Sequence, residues 1–383
     1  MLSLSALAQK GKALGTSLAL AASVLYSSAY AQTFSSSDET TPQHHRELRL
    51  SFSHDSNPSL EPLMLVHNAH TLESVLNESL WRLEPSTFLG RAALLGAAFY
   101  EQAVFNAGIH ELAHYQEARE AGRTILEFPL WRVLIFQGHV KHSRERGREG
   151  VVEDMSNFGR GLAVNTLLAN NILQNAVLTG SMHTLDGLNY VVNHIFVSMP
   201  VYDKKNYEIL AEKLQDSSQV QNLHRNIIGI SLFNALDPYT LYSAWGIGKY
   251  VFTGNSRQNL PSPLIPQLNG YLAVPQPLYE ACWYVPWQSG VLSAALRGGN
   301  AVENTVALRT GIEDFPFGRK ISLTAMLEGI HSGNHNDGVA HAKILFQIAG
   351  IKAGPTFSYT SGGWSPLVNG LAERYLAGIG LQL

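Results

Sequence analysis

The chain has 383 residues, of which 45% are hydrophobic and only 15% are charged, and its formal net charge is −3. This near-neutral balance excludes the basic surface that a nucleic-acid-binding protein needs, so no nucleic-acid partner is expected. Ordinary globular domains have about a quarter of their residues charged, so the shortage of charge favours a large buried interior or an association with a membrane.

The first 31 residues have the pattern of a secretory signal peptide. Lys10 and Lys12 form a positive start, residues 13–25 form a short apolar run, and residues 29–31 fit the small-x-small cleavage rule. We therefore expect an exported protein that resides in the periplasm, the outer membrane or the cell envelope.

The mature chain is predicted to begin with a flexible segment over residues 32–58, which is rich in Ser, Thr, His and charge. A helical unit is expected over residues 59–258. Its apolar segments, rich in Gly, Ala and Asn, span residues 88–113, 159–178 and 227–251. Such segments suit close helix packing, either in a zincin-like domain or in a bundle of membrane helices, and both alternatives are open.

The chain changes character after a linker punctuated by prolines between residues 261 and 277. Over residues 265–383, short runs of alternating apolar and polar residues are separated by glycine-rich turns, which predicts an antiparallel β unit of about five to seven strands. This unit would be a meander or a partial barrel. The expected fold class is therefore α+β, with a helical N-terminal domain followed by an antiparallel β domain. Within the β unit, Cys282 lies among aromatic residues and is expected to be a buried, inert thiol.

The motif that carries chemistry is His110-Glu111-Leu112-Ala113-His114. On a helix the two imidazoles project from one face and can bind a single Zn²⁺ ion, while Glu111 can reach a water on that ion. These are the groups that zinc-assisted hydrolysis requires, so we assign His110 and His114 as metal ligands and Glu111 as the general base. The motif ends a long apolar run, where polar side chains need a partner such as a metal.

The third zinc ligand has several candidates. Glu117 lies one turn after His114, where a role beside the ligands is more favourable than direct ligation. Glu149 and Glu153 share a helical face in a charged stretch that also contains Asp154. The remaining candidate is Asp186, within Leu185-Asp186-Gly187.

A resemblance bears on this choice. A histidine-glutamate-x-x-histidine motif that ends an apolar helix, followed by an Asn-bearing apolar segment at residues 159–165 and then by Leu185-Asp186-Gly187, resembles the site-2 protease family of intramembrane metalloproteases. Ala118-Arg119 after the first motif is also similar to that family. The resemblance spans roughly residues 88–200 and implies that Asp186 supplies the third zinc ligand. Metzincins fit poorly, because Glu117 and Glu120 occupy the positions of their glycine and third histidine.

The expected function is that of an exported zinc-dependent peptidase that acts on a protein or peptide substrate through metal-activated water. The alternative is a non-enzymatic structural or binding protein of the envelope or outer membrane, with an incidental metal site.

Two further groups are expected to be structural. Asp237-Pro238-Tyr239 is interpreted as a polar kink in the third apolar segment. A set of polar residues near a turn is interpreted as a solvated loop; its members are His331, His335, Asp337 and His341.

Overall fold

The computed structural model describes most of the chain from residue 85 onwards and parts of what precedes it. The described residues are 47–53, 66, 69, 73, 77, 80, 83, 85–120, 124–127, 141–142, 148–195, 217–273, 276–287, 290–300, 304–316, 320–332, 335–348, 351–361 and 374–382. The predicted signal peptide lies outside these residues. The side chains of Glu117, Glu149, Glu153 and Asp154 also lie outside the described part.

The helices in the described part of the chain are concentrated before residue 254. They are α1 (Phe88–Glu120), α2 (Arg148–Thr179), α3 (Thr184–Ile195), α4 (Ser217–Ala235) and α5 (Pro238–Thr253). The described residues Val66, Ala69, Glu73 and Asn77 are also helical and buried, and their spacing places them on one helical face. Among the described helices, none combines the length and the hydropathy that crossing a bilayer would need.

The strands follow mainly after residue 257. They are β1 (Glu47–Ser53), β2 (Ile125–Glu127), β3 (Lys141–His142), β4 (Ser181–His183), β5 (Arg257–Asn259), β6 (Gln267–Ala273), β7 (Gln276–Trp287), β8 (Gly290–Asn300), β9 (Asn304–Pro316), β10 (Ile321–Ser332), β11 (His335–Ile348), β12 (Ile351–Thr360) and β13 (Arg374–Gln382). Nine of them form one sheet, in the order β1-β13-β12-β11-β10-β9-β8-β7-β6. The pairings in this sheet are antiparallel throughout.

Helices pack on both faces of the sheet at its β6–β7 end. On one face, Ala163 of α2 packs against Tyr271 and Leu278 in a buried cluster. On the other face, the ring of Phe233 in α4 lies 4.9 Å from that of Tyr279. Gly270 permits this close approach, because a Cβ at that position would lie 2.8 Å from Cγ2 of Ile230. This end of the sheet is therefore enclosed between α2 and α4.

The expected mixture of helices and antiparallel sheet is confirmed, whereas several boundaries differ from the prediction. The segment at 227–251 is divided into α4 and α5, because Asp237 caps a new helix with Pro238 in its first turn. The segment at 32–58, expected to be flexible, contains β1, which pairs with β13. The proline-punctuated linker contains β6, so the sheet has more strands than expected. The narrower expectations, a zincin-like helical unit and a partial barrel, remain predictions.

Candidate metal centre

The two histidines of the motif lie beside the buried stripe of α1. Ile109 and Ala113 face the hydrophobic core, and His110 and His114 follow them by one position each, which leaves their side chains half-buried. Their Nε2 atoms are 3.0 Å apart. The ring centroids lie 4.5 Å apart, and the rings meet edge to face. The helical spacing of four residues has therefore brought the two imidazole nitrogens to one point.

This geometry fits the donor set of a zinc site. Two Nε2 atoms directed at each other can share one proton, with one N–H donating to the other ring, or both can direct their lone pairs at one cation. Zinc accepts neutral imidazole nitrogens at about 2.0–2.1 Å, and ligand nitrogens around one ion then lie near the observed separation. Glu111 is half-buried on the same turn. The side chains of the motif thus fit zinc as two ligands and an adjacent carboxylate.

Asp186 lies in the first turn of α3, in a different environment. Burial raises its pKa to about 7, and the positive charge of Arg257 opposes that rise. Its charge also acts on the buried Glu73, which in turn interacts with Glu101 of α1. Glu101 precedes His110 by nine residues, which corresponds to about 13 Å of helix rise and half a turn around α1. Asp186 therefore interacts with Glu73 on the side of α1 that faces away from the histidine pair.

The acidic cluster formed by Glu73, Glu101 and Asp186 is enclosed by amides. Glu73 is fully buried, and burial raises its pKa well above the usual range, assisted by the charges of Glu101 and Asp186 and opposed by the amides of Asn189 and Gln102. Burial also raises the pKa of Glu101. The amide of Gln102 donates to Oδ1 of Asn77 at 3.0 Å. A raised pKa means that these carboxyl groups hold their protons into a higher pH range.

The third ligand is not assembled among the described residues. In that part of the chain, no group of three or more His, Cys, Asp or Glu side chains is placed to hold a metal ion. The structure thus brings His110 and His114 together and does not bring Asp186 to them. The alternative ligands Glu117, Glu149 and Glu153 have side chains outside the described part, so the identity of the third ligand remains a prediction.

A second polar constellation lies where the helices meet the sheet, and we call it the junction network. Asp237 accepts hydrogen bonds from the Tyr190 hydroxyl (2.8 Å), from the Thr240 backbone N–H (2.7 Å) and from the Leu268 backbone N–H (2.8 Å). His194 is within 2.8 Å of the Thr240 hydroxyl through Nδ1. Asp237, the N-cap residue of α5, therefore also connects α3 to β6 through its hydrogen bonds.

Burial favours the neutral form of His194. Its pKa is lowered by burial, while Asp237, with Oδ2 3.7 Å from Nδ1, and Asn269 oppose the shift. Its Nε2 lies 3.0 Å from Oδ1 of Asn269, which can only accept, so Nε2 carries the proton and Nδ1 accepts from Thr240. The sequence interpretation of Asp237 as a kink overlooked this network. The signal was the order Asp-Pro, which is typical of a helix start.

The sheet interior contains an ion cluster made of two glutamates and two arginines. Arg309 donates to Oε1 of Glu280 at 3.1 Å, and Arg297 lies 3.5 Å from Oε2 of the same residue and also pairs with Glu328. Burial by itself would raise the pKa of Glu280, yet Arg309 and Arg297 hold it below its usual value. Nδ2 of Asn269 donates to Oε1 of Glu280 at 3.2 Å. The junction network and the ion cluster are thus continuous through Asn269.

The structure also describes Cys282 and two histidines of the predicted solvated loop. The expected burial of Cys282 is confirmed: the thiol is fully buried, and burial raises its pKa to about 11. The solvated-loop interpretation is wrong for His341, which is buried on β11 with Nδ1 2.8 Å from the Ser358 hydroxyl. His331 lies on β10, with Nδ1 2.8 Å from Oδ1 of Asn336. The period-two alternation of the strand continues through these histidines and turns His341 inwards.

A cavity of about 340 Å³ lies beside Arg91, at the opposite end of α1 from the histidines. The guanidinium donates to the backbone oxygens of Ser86 (3.0 Å), Val251 (3.0 Å) and Phe252 (3.3 Å). Arg91 therefore holds the end of α5 in place, and its hydrogen-bonding capacity is largely used within the protein.

Comparisons of this chain with protein-family models, with curated proteins and with solved structures find no match.

Proposed function

We propose that this protein is an exported zinc-dependent peptidase whose centre is formed by His110, Glu111 and His114. The observation that carries the proposal is the 3.0 Å separation between the Nε2 atoms of the two histidines. Two convergent imidazoles with a carboxylate on the same turn are the arrangement that zinc-assisted hydrolysis uses. The proposed substrates are proteins or peptides, and the proposed location is the periplasm, the outer membrane or another part of the cell envelope.

The chemistry assigned to each residue follows from its type. Zinc, when bound, supplies Lewis acidity that makes a water nucleophilic near neutral pH. Glu111 is the general base: it accepts a proton from the attacking water and delivers it to the amine nitrogen as the peptide C–N bond breaks. His110 and His114 would hold the ion through the lone pairs of neutral ring nitrogens.

The test of Glu111 compares two glutamates on one helix. Glu111→Gln should retain zinc and lose peptide hydrolysis by about 100-fold or more, because the amide cannot accept the proton. Glu101→Gln, with its side chain on another face of α1, is the matched control and should keep both zinc and hydrolysis. The readouts are zinc content by mass spectrometry and cleavage of an unfolded protein. Unchanged hydrolysis in Glu111→Gln would remove Glu111 from the role of general base.

The ligand set is tested by zinc stoichiometry in the purified full chain. His110→Ala should abolish zinc binding, whereas His224→Ala, a half-buried histidine of α4, should not. Among the candidates for the third ligand, Asp186→Ala and Glu153→Ala are compared directly. Loss of zinc in Asp186→Ala alone supports the ligand that the family resemblance implies, and loss in Glu153→Ala alone supports a glutamate ligand. A wild-type chain that binds no zinc would favour the non-enzymatic alternative.

A further inference from the structure

We call the face of the sheet that α4 covers at β6 and β7 the outward face. From β8 to β12 this outward face is apolar. The strand register places Val306, Leu327 and Ile344 on the same face, because Thr310 pairs with Leu327, Leu327 pairs with Ala340, and Leu323 pairs with Ile344. Leu327 is 62% exposed and Phe357 is 54% exposed. At the outward positions of these strands whose side chains the structure describes, which leaves out Asp314 at an irregularity of β9, no Asp, Glu, Lys or Arg occurs.

The charged side chains lie on the opposite, inward face. Arg297 and Lys343 are 1% and 2% exposed, and Arg309 and Glu328 are also buried. A sheet that packs on a protein core and faces water has the reverse arrangement, with apolar side chains inside and polar ones outside. Strands that face lipid alternate apolar outside and polar inside, as β9 to β12 do. The polarity of this sheet is therefore that of a surface whose outer solvent is hydrocarbon.

We propose that the outward face of β8–β12 contacts the acyl chains of a lipid bilayer. The strands are long enough for this role: β10 has 12 residues and β11 has 14, and a tilted strand needs about 9–11 residues to cross the hydrocarbon region. Polar side chains occur at the margins. His331 and Asn336 lie where β10 turns into β11, and exposed Lys320 lies at the other end of β10.

The rest of the molecule indicates where this lipid-contacting face begins. At β6 and β7 the outward face is covered by α4, through Phe233 against Tyr279 and Ile230 against Gly270. From β8 onwards the outward side chains are only partly buried or exposed. A second copy of the chain is a poorer occupant than lipid, because protein interfaces retain polar and hydrogen-bonding groups and this face has almost none in its middle. The proposal holds whether or not the metal centre is catalytic.

Site-directed nitroxide labels test the occupant directly. Leu327→Cys and Phe357→Cys place labels in the middle of the face, Asn336→Cys places one at its margin, and Asn255→Cys, exposed after α5, is the aqueous control. The native Cys282 is fully buried and so should not react with the label. The full chain is reconstituted into vesicles of phosphatidylethanolamine and phosphatidylglycerol, and collision rates with oxygen and with an aqueous nickel chelate are measured.

The expected result is that the labels at Leu327 and Phe357 collide with oxygen and are shielded from nickel, whereas those at Asn336 and Asn255 collide with nickel. Access of nickel to Leu327 and Phe357 would overturn the proposal. Shielding of both positions from both reagents would also overturn it, because the face would then be covered by protein, such as a second copy of the chain.

A charge-placement experiment gives an independent measurement. Leu327→Arg should reduce the fraction of chain that floats with the vesicles by about tenfold or more, because an arginine near the bilayer midplane is costly. Asn336→Arg adds the same charge at the margin of the face and should change flotation less than about twofold. Equal flotation of both variants and the wild type would contradict the proposal. If Leu327→Arg fails to fold, the cysteine labels still decide the question.

Discussion

Glu73 and Glu280 are both fully buried, one in the helical half and one in the sheet half, yet their pKa values move in opposite directions. Burial raises the pKa of Glu73, and its neighbours are amides and further carboxyl groups. Burial acts on Glu280 too, but Arg309 and Arg297 hold its pKa below the usual value. The helical half thus holds a carboxyl group that keeps its proton to a higher pH than an ordinary glutamate does, and the sheet half holds one that ionises at a lower pH.

The difference shows that burial alone does not determine the charge of a side chain. A buried carboxylate stays ionised only when cations and hydrogen-bond donors replace the water that it loses. The helical half supplies mostly neutral donors such as Asn189 and Gln102, whereas the inward face of the sheet supplies guanidinium groups. The sheet half is therefore destabilised when one of its ion pairs is broken. The helical half is destabilised as the pH rises.

The largest effect is expected when the ion cluster is broken. Arg309→Met should lower the free energy of unfolding by about 3–5 kcal/mol, because Glu280 is left buried without its closer cation. Denaturant unfolding of the purified full chain measures the change. The double variant Glu280→Gln with Arg309→Met removes both charges and should recover a substantial part of the loss.

The matched control for Arg309→Met is Thr310→Ala, at the adjacent and exposed position of β9. It should change the free energy of unfolding by no more than about 0.5 kcal/mol. A loss below about 1 kcal/mol in Arg309→Met would mean that Glu280 accepts a proton at little cost, and the contrast between the two glutamates would then fail.

An intermediate effect is expected at the residue that connects the two halves. Asn269 accepts from Nε2 of His194 and donates to Glu280, so Asn269→Leu leaves a buried donor and a buried acceptor without that partner. The expected loss is about 2–3 kcal/mol of unfolding free energy, measured by the same denaturation. Asn259→Leu on β5 makes the same chemical change at an exposed position and should be nearly neutral. Equal costs for the two variants would show that Asn269 does not connect the halves energetically.

The sequence predicted local structure better than it predicted these polar networks. The apolar segments at 88–113 and 159–178 lie within α1 and α2, because the helical period is a local property. The period-two runs likewise lie in strands β9, β10, β11 and β13. In contrast, β1 pairs with β13 across more than 300 residues, and such a distant pairing leaves no local signal.

The candidate site, like the fold, could be predicted only where it depends on local sequence. The convergence of His110 and His114 follows from their spacing on one helix, and the structure has their Nε2 atoms 3.0 Å apart. The environment of Asp186 depends on which helices pack together, so its proximity to Glu73 could not be predicted from the Leu-Asp-Gly motif. Likewise, nothing local in the sequence distinguishes Glu73, which has no cation among its described neighbours, from Glu280, which has two.

The effect most specific to the comparison is expected for Glu73→Gln, and it is the smallest of all near pH 4. The folded-state pKa of Glu73 is raised, so above about pH 4.3 the unfolded chain ionises this group while the folded chain keeps it protonated. Its contribution to stability is therefore fully present at low pH and is lost as the pH rises towards the folded-state pKa, by up to about 1.4 kcal/mol per pH unit. Glutamine does not titrate, so the variant should match the wild type near pH 4 and exceed its stability increasingly at higher pH.

Glu280→Gln should show the opposite pH dependence. Its folded-state pKa is lowered, so the ionised carboxylate stabilises the fold above the ordinary glutamate pKa, and that contribution is lost as the pH falls. Replacing it should therefore cost most near neutral pH and least in acid. Denaturation of both variants from pH 4 to pH 8 measures how the change in unfolding free energy varies with pH. The sign of that variation, rather than its size, distinguishes the two halves. Parallel pH profiles for the two variants would mean that the buried amides around Glu73 keep it ionised, as the arginines do for Glu280.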